Sequence, residues 1–412
     1  MKKLLSLLVA IAMLLSLMAA ATAQSPVVLT MGSWENTAAA VIQEMLDAYK
    51  EVSGIEIRFE PTQADQYNAA LRLQLDNGTG PDLFYSRSYA TGQELHDAGF
   101  NMNCSEIPGV LENFAPSSLE PWQADDGIVF AVPVAAVSHV VYYNSAYFEE
   151  KGLSTPETFE EFLALCEEIK AFGDMYPLAN GIASEWDILE CVYLGMLPNY
   201  VGGPEERALY EAGSAKMNDD KFLKSLEDFA ALTKYFPDGF ESVQYGDGPA
   251  LMATGQAAMF IDGSWSSGTF ARMYDFSDIG AFAIPAPEGF TPGMAFHPDY
   301  AIAGNSATKY PQEVKDFLAW IASPEGAQNA ANHMPQGFFP MINAPITMDD
   351  ELSNGILGLN EGRTLDARFI WPRMMDLYSA MRSNLDAIAK GEMTAQQAAD
   401  DFAKLQADLL SK

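Results

Sequence analysis

Apolar positions along this chain recur with two periods, and the switches between them outline its elements. Val27-Val28-Leu29-Thr30-Met31 is an apolar run that reads as a buried strand. Ile42, Met45, Leu46 and Tyr49 then fall at helical spacing, which predicts a helix with one buried face. Gly54 ends it, and Ile55, Ile57 and Phe59 alternate with Glu56, Arg58 and Glu60 as a second strand. A helix over Tyr67 to Leu75 stops at Asn77-Gly78-Thr79-Gly80-Pro81, a cluster of turn formers. Asp82-Leu83-Phe84-Tyr85 begins a third strand. Strands and helices alternating in this way predict βαβ units. The expected class is therefore α/β, with mostly parallel sheets and helices on both faces.

The rest of the chain keeps that style. Val129 to Asn144 is a long apolar segment, interrupted by Pro133 and polar at Ser138 and His139. Asn144 opens a helix, and Thr158 with Glu161 forms a capping box for the next. That helix should turn Phe159, Phe162, Leu163, Cys166 and Ile169 inward. Phe222, Leu226, Phe229, Ala230 and Thr233 mark another helix. Met374, Leu377, Met381, Leu385 and Ile388 mark a long one near the end, and Thr394 with Gln397 caps the last. There is no short repeat and no low-complexity linker.

The first residues change the picture of where the protein works. Lys2 and Lys3 precede an apolar stretch from Leu4 to Met18, followed by Ala21-Thr22-Ala23. This is the pattern of a secretory signal peptide over residues 1–23. No cysteine stands at the cleavage point, so no lipid anchor is indicated, and the expected location is periplasmic or extracellular. Removing that segment leaves about 390 residues, room for two domains.

Composition excludes some partners. The chain has 412 residues, 49% of them hydrophobic and 11% aromatic, which suits ordinary large cores. Its formal net charge of −33 repels nucleic acid and anionic lipid. Cys104, Cys166 and Cys191 could form one disulfide with one thiol left over, or lie reduced and buried. No metal-ligand spacing links the cysteines or the four scattered histidines, so neither a metal nor a cofactor is expected. Tyr142 and Tyr143 are adjacent in a strand and must face opposite ways, so they cannot grip one metal.

Candidate chemistry collects at strand ends. Gly255-Gln-Ala-Ala-Met-Phe-Ile-Asp-Gly-Ser-Trp265 runs into an apolar strand, breaks at Gly263 and presents Trp265. Flat aromatic plates suit the apolar faces of sugar rings. Trp34 follows the first strand, and Tyr85, Ser86 and Tyr89 lie around the end of the third. Ligands of open α/β sheets sit beyond such ends. Trp122 and Trp320 read as structural instead, as do His139 and His297, although His297 gains as a cleft residue from its place before Pro298.

These residues occur within an ordered set of motifs. They include Asn77-Gly-Thr-Gly-Pro-Asp-Leu83, Val132-Pro133 through Val141-Tyr-Tyr-Asn144, and Lys151-Gly-Leu-Ser-Thr-Pro-Glu-Thr-Phe-Glu-Glu-Phe162. Gly255 through Trp265, Lys309-Tyr-Pro through Gly326, and Gly391 through Ala399 complete it. In this order the chain resembles the family 1 extracellular solute-binding proteins of ATP-binding-cassette sugar importers, the group that includes maltose-binding protein. The resemblance implies a two-lobe, type II periplasmic-binding-protein fold that closes on its ligand by a hinge. It places the first lobe at 24–136 with a return over 302–346, and the second at 137–301 with the terminal helices 347–412. Chain crossings fall near 136–140, 297–302 and 343–350.

The resemblance also implies a non-enzymatic, monomeric receptor that captures a mono- or oligosaccharide and delivers it to a membrane permease. Trp265 and Trp371 match stacking positions, and Trp34 with Glu35 and Trp186 with Asp187 match further contacts. Arg87 and Arg373 join Glu35 and Asp187 as rim groups, because charge-assisted hydrogen bonds hold hydroxyls well. One departure concerns maltose itself: Val137 stands where the maltose-binding branch has a Glu. Two alternatives remain. One is a receptor for a cation such as a polyamine, with Glu185-Trp186-Asp187 as its box. The other is an exported carbohydrate-active enzyme using paired carboxylates.

Overall fold

The computed structural model describes residues 27–36, 38–63, 66–368 and 375–411. The expected signal peptide, Trp371 and Arg373 lie outside these residues, as does Met374. Among the described residues no helix is long and apolar enough to cross a membrane.

The opening βαβ reading is reproduced almost residue for residue. Strand β1 (Val28–Ser33) leads to helix Ala39–Ser53, which buries Ile42, Met45, Leu46 and Tyr49. Gly54 ends that helix in the left-handed conformation, at φ 75°. Strand β2 (Glu56–Pro61) and strand β3 (Leu83–Ser86) both pair parallel with β1. Helix Tyr67–Asp76 covers the sheet between them in sequence.

The centre is different. Strand β4 (Val132–Asn144) and strand β8 (Gly293–Gly304) are long, almost wholly buried and antiparallel to each other. Strand β8 also pairs antiparallel with β3. At Ser138 and His139, β4 changes partners: Val137 lies opposite His297, while His139 lies opposite Gly263 of strand β6 (Ala257–Gly263). Beyond that point β4 is antiparallel to both β6 and strand β7 (Ile279–Ala283). Strand β5 (Tyr176–Leu178) adds parallel to β6. Strand β9 (Phe339–Pro340) joins β4, and strand β10 (Thr364–Asp366) joins β8. The sheet is therefore mixed. The expectation of mostly parallel pairing holds for β2-β1-β3 and fails around β4, because a strand run alone does not say which neighbour will pair with it.

Helices flank this sheet on the faces the periodicity indicated. Helix Phe159–Phe172 has the Thr158–Glu161 capping box, and so does Ala395–Leu410 with Thr394 and Gln397. The inner face of the first is Phe159, Phe162, Leu165, Cys166 and Ile169. Leu165 takes the place expected for Leu163, which is only partly buried. Helix Met375–Ala389 buries Leu377, Met381, Leu385 and Ile388.

Apolar side chains gather into three cores. The first draws on Leu29 to Val137 and then Tyr300 to Ile342. The second draws on Val141 to Ile284 and the terminal helices. The third is smaller and sits around Val140, Tyr142, Phe260 and Ile356. Cys104, Cys166 and Cys191 are buried free thiols, so no disulfide links them. Trp122 is fully buried and donates from Nε1 to the Ser86 carbonyl at 3.1 Å. Its expected structural role is played deep in the first core. Tyr142 points into the third core and Tyr143 packs on Phe148 and Phe282, on the opposite face, as alternation requires.

Candidate functional site

Where β4 and β8 pass between the first core and the other two, polar and aromatic side chains concentrate. The end of β6 carries Trp265. Its indole folds back over Gly263, so closely that a Cβ on that glycine would lie 2.1 Å from the ring. The ring nitrogen donates to the Tyr245 hydroxyl, whose ring faces Trp186 at a centroid distance of 4.6 Å. His139 meets the Trp265 ring edge-on at 5.6 Å. Although β6 belongs to the second and third cores, Trp265 packs against the first. It therefore bridges the cores.

The first core supplies an aromatic cluster of its own. Trp34 lies edge-on to Tyr85 and near Tyr67 and Tyr300. The Arg87 guanidinium covers the Trp34 ring at 3.4 Å, a cation–π contact. Glu35 accepts from the Ala38 N–H at 3.0 Å and acts through charge on Arg272 of helix Ser266–Tyr274. Tyr85 and Ser86 are fully buried. Tyr89 is half-buried at φ 55°, a backbone conformation uncommon for a side chain of that size. Its ring approaches His297 at 6.1 Å.

A buried ionic chain joins the two sides. Arg368 donates to Glu190 through one terminal nitrogen and to Asp299 through the other, at 3.0 Å in the second case. Glu190 also accepts from Tyr378, and Asp299 accepts from Tyr85. Glu190 sits on the π-helical turn Ile188–Tyr193, Asp299 on β8 and Tyr85 on β3. The Arg368 backbone N–H donates to Nδ1 of His297 at 3.3 Å, so a neutral His297 carries its proton on Nε2, which faces Ser88. Burial, reinforced by Arg368, pushes the His297 and His139 imidazoles well below the usual value and keeps both neutral.

Two aspartates face this region. Asp262 accepts at Oδ2 from Tyr245 at 3.0 Å and from Ser266; its Oδ1 has no hydrogen-bond partner among the described residues, although the Cys191 thiol, a weak donor, is close to the carboxyl. Asp187 is 5% exposed, and its Oδ1 has no hydrogen-bond partner among the described residues. Burial raises the Asp187 carboxyl to about 7, and the neighbouring Asp262 adds to it. Burial likewise raises Asp262 to about 6. Both ring nitrogens of His139 and Nε of Arg368 also lack partners among the described residues. Buried polar atoms left this way are uncommon in proteins and mark a place for an explanation.

Of the residues expected at a site, Trp34, Tyr85 and Arg87 come together on one side, and Tyr89 with His297 lies beside them. Trp186 and Trp265 come together through Tyr245 on the other, and Asp187 is tied to them by its interaction with Asp262. Glu185 does not join Asp187 in a box. It is exposed at φ 62° and pairs with Arg382 at 3.2 Å. Val137 is buried and contributes no polar group. Sequence reasoning missed Asp262, Tyr245, Glu190, Asp299 and Arg368, and took His139 as satisfied. A signal existed for two of them: Asp262 and Glu190 are lone acids inside apolar runs. No described group of His, Cys, Asp and Glu could hold a metal ion. A separate cavity of about 360 Å³ lies near Tyr200, Phe290, Glu206 and Lys221 and shares no lining residue with this cluster.

The multiple sugar-binding protein of Streptococcus mutans serotype c is 24% identical over 333 residues, covering 77% of this chain and 75% of that protein. The solved structure of the bacterial solute receptor AcbH, described with an exclusive preference for b-D-galactopyranose, matches with a TM-score of 0.82. Its identity is 16%, and the match covers 93% of this chain and 99% of that one. A chitin oligosaccharide binding protein matches with a TM-score of 0.78 at 20% identity, covering 94% and 100%. These structural matches show the type II periplasmic-binding-protein fold. The family model for bacterial extracellular solute-binding proteins matches residues 33–328, and the chain belongs to that family.

Proposed function

We propose that this protein is the receptor of an ATP-binding-cassette importer, capturing a saccharide between its cores and delivering it to a membrane permease. The observation that carries the reading is the Trp265 ring, pinned over Gly263 and met edge-on by His139, whose ring nitrogens lack partners among the described residues. The ring is joined through the Tyr245 hydroxyl to Asp262, whose Oδ1 also lacks one. A pyranose has an apolar C–H face for such a plate and hydroxyls for such a rim. The names of relatives, among them a multiple sugar-binding protein and probable sugar-binding periplasmic proteins, favour the same class. Binding rather than turnover is the activity; the relatives are binding proteins, and the cargo leaves unchanged.

The two lobes of this reading largely follow the cores, although Val137, Tyr300 and Ala301 pack in the first core and fall to the second lobe. The first takes 24–136 and 302–346, the second 137–301 and 347–412. Strands β4 and β8 run through both and would bend where β4 changes partners, at Ser138 and His139. Hinge closure of this kind buries the cargo and shapes the surface a permease reads. The protein acts as an exported monomer. Trp34 and Arg87 face the cargo from the first lobe and Trp186 from the second.

A thermal-shift screen of neutral saccharides, amino sugars and linear polyamines tests this. A saccharide should raise Tm and be recovered unaltered after prolonged incubation. Stabilisation by polyamines alone would overturn the reading, and cleavage of the sugar would reassign the protein as an enzyme.

A further inference from the structure

The second-core side of the site holds more carboxylates than cations. Asp262 is fully buried and Asp187 nearly so, the charge of Asp262 adds to what burial does to Asp187, and both aspartates act on the Cys191 thiol. Cys191 lies within reach of both and is an uncharged thiol, its own ionisation opposed first by burial and then by Asp262. Glu190 and Asp299 are nearby acids, and both are already paired with Arg368. That guanidinium is thus committed to two other carboxylates. His139 and His297 are kept neutral and supply no positive charge. Tyr245 and Ser266 donate hydrogen bonds to Asp262 but bring no charge. Among the described residues, the Asp187–Asp262 pair has no cation of its own.

A neutral sugar would give hydroxyl donors to the open carboxylate oxygens and leave their charge uncompensated in a buried place, which is costly. An ammonium supplies three donors and a full positive charge. Beside it stand the faces of Trp265, Tyr245 and Trp186, and aromatic faces attract cations. The unpartnered nitrogens of His139, at the edge of the Trp265 ring, call for hydroxyl groups as well. A linear polyamine has none. A ring bearing both fits better.

We propose that the preferred cargo is an amine-bearing saccharide, its ring on Trp265 and its protonated amine between Asp187 and Asp262. This rests on the saccharide-binding reading and narrows it. The raised proton affinity of Asp187, at about 7, agrees: without a cation beside it that carboxyl keeps part of its proton near neutrality while Asp262, at about 6, is mostly ionised, and an ammonium would displace the remaining proton on binding.

Calorimetric titration of the purified protein with glucosamine, galactosamine and mannosamine, beside glucose, galactose and mannose, tests the idea. At neutral pH one amino sugar should bind about tenfold or more tightly than its neutral parent. Its binding should release protons, seen as a dependence of the heat on the buffer's ionisation enthalpy, and should weaken on acidification as the aspartates protonate. In Asp187→Asn the ratio of amine to parent affinity should fall toward one. The wild-type ratio is informative whether or not that variant folds, and circular dichroism checks the variant. If a neutral parent binds as tightly as its amine, the amine proposal fails and the saccharide reading stands. If no saccharide binds while putrescine or spermidine does, both fail.

Discussion

The indole of Trp265 rests on Gly263: a methyl group at that glycine would fall 2.1 Å from ring atom Cζ3. Atoms at that separation overlap, so the ring holds its place only because position 263 has no side chain. Gly263→Ala should displace the plate and cost about 1–3 kcal/mol of stability, the usual penalty of overpacking. Ligand affinity should fall further than stability does. Parallel urea unfolding and ligand titration measure the two, and unchanged affinity in a folded variant would sink the plate assignment.

Two tryptophans with different surroundings should separate binding from folding. Trp265→Ala should weaken saccharide binding by roughly 1–3 kcal/mol, the scale of a desolvated aromatic contact. Trp122→Phe should leave affinity alone. It deprives the buried Ser86 carbonyl of its donor, which should lower stability by about 1–3 kcal/mol. If Trp265→Ala unfolds the chain and Trp122→Phe does not, the roles of the two have been confused.

Arg368 sits between Glu190 and Asp299 with all three side chains largely buried. Removing a partner from such an arrangement leaves uncompensated charge and costs about 3–5 kcal/mol. Arg368→Met is expected to lower the denaturation midpoint accordingly, whereas an exposed control, Arg58→Met beside Glu56, should change stability little. Equal effects in the two variants would show that the Arg368 chain is not buried in solution.

The aspartates set a direction for pH dependence. Burial holds the Asp187 carboxyl at about 7, against an ordinary value of 3.8 that applies when the chain unfolds. Between those values the folded state binds more protons, so this group's contribution to stability falls as pH rises and levels off above about 7. Each unit of displacement corresponds to about 1.4 kcal/mol, so the total is a few kcal/mol at most. Asp187→Asn should therefore be stabilised relative to the ligand-free wild type at mildly alkaline pH and lose that advantage in acid. His139 and His297 act oppositely, since burial lowers them and stability falls as pH drops below 6.5. They are common to both proteins and cancel in the comparison. A Tm difference that does not vary with pH would refute the assignment.

Local features of the site were legible where a short stretch of chain carries the whole signal. The Gly263 break and Trp265 lie two residues apart, and the steric reason for the glycine is confined to that turn. Trp34 and Tyr85 were legible as a strand-end group because strand ends converge in an α/β sheet, whereas Arg87 was named only as a rim group alongside the resemblance. Asp262, Glu190 and Arg368 were not. Asp262 and Glu190 stand out only as lone acids in apolar runs and Arg368 not at all, and what each does depends on a partner outside its own segment: Arg368 meets Glu190 across 178 positions and Asp299 across 69. Glu185 was misjudged for the converse reason. It is adjacent to Trp186 in sequence, yet its backbone turns it out to Arg382.

What the sequence by itself determined is the set of local elements and the family they belong to. The helix Ala39–Ser53 with its four buried residues, the Thr158–Glu161 and Thr394–Gln397 boxes and the Gly54 stop all follow from periodicity and capping, which act within a few residues. Tertiary structure alone decided that β4 runs antiparallel to β8, β6 and β7, and that it changes neighbours at Ser138 and His139. It also decided that Trp122 is core, and that the Tyr245 hydroxyl joins the Trp265 ring to the buried Asp262. Strand partners and charge partners are chosen by packing between distant segments, and no local pattern encodes that choice.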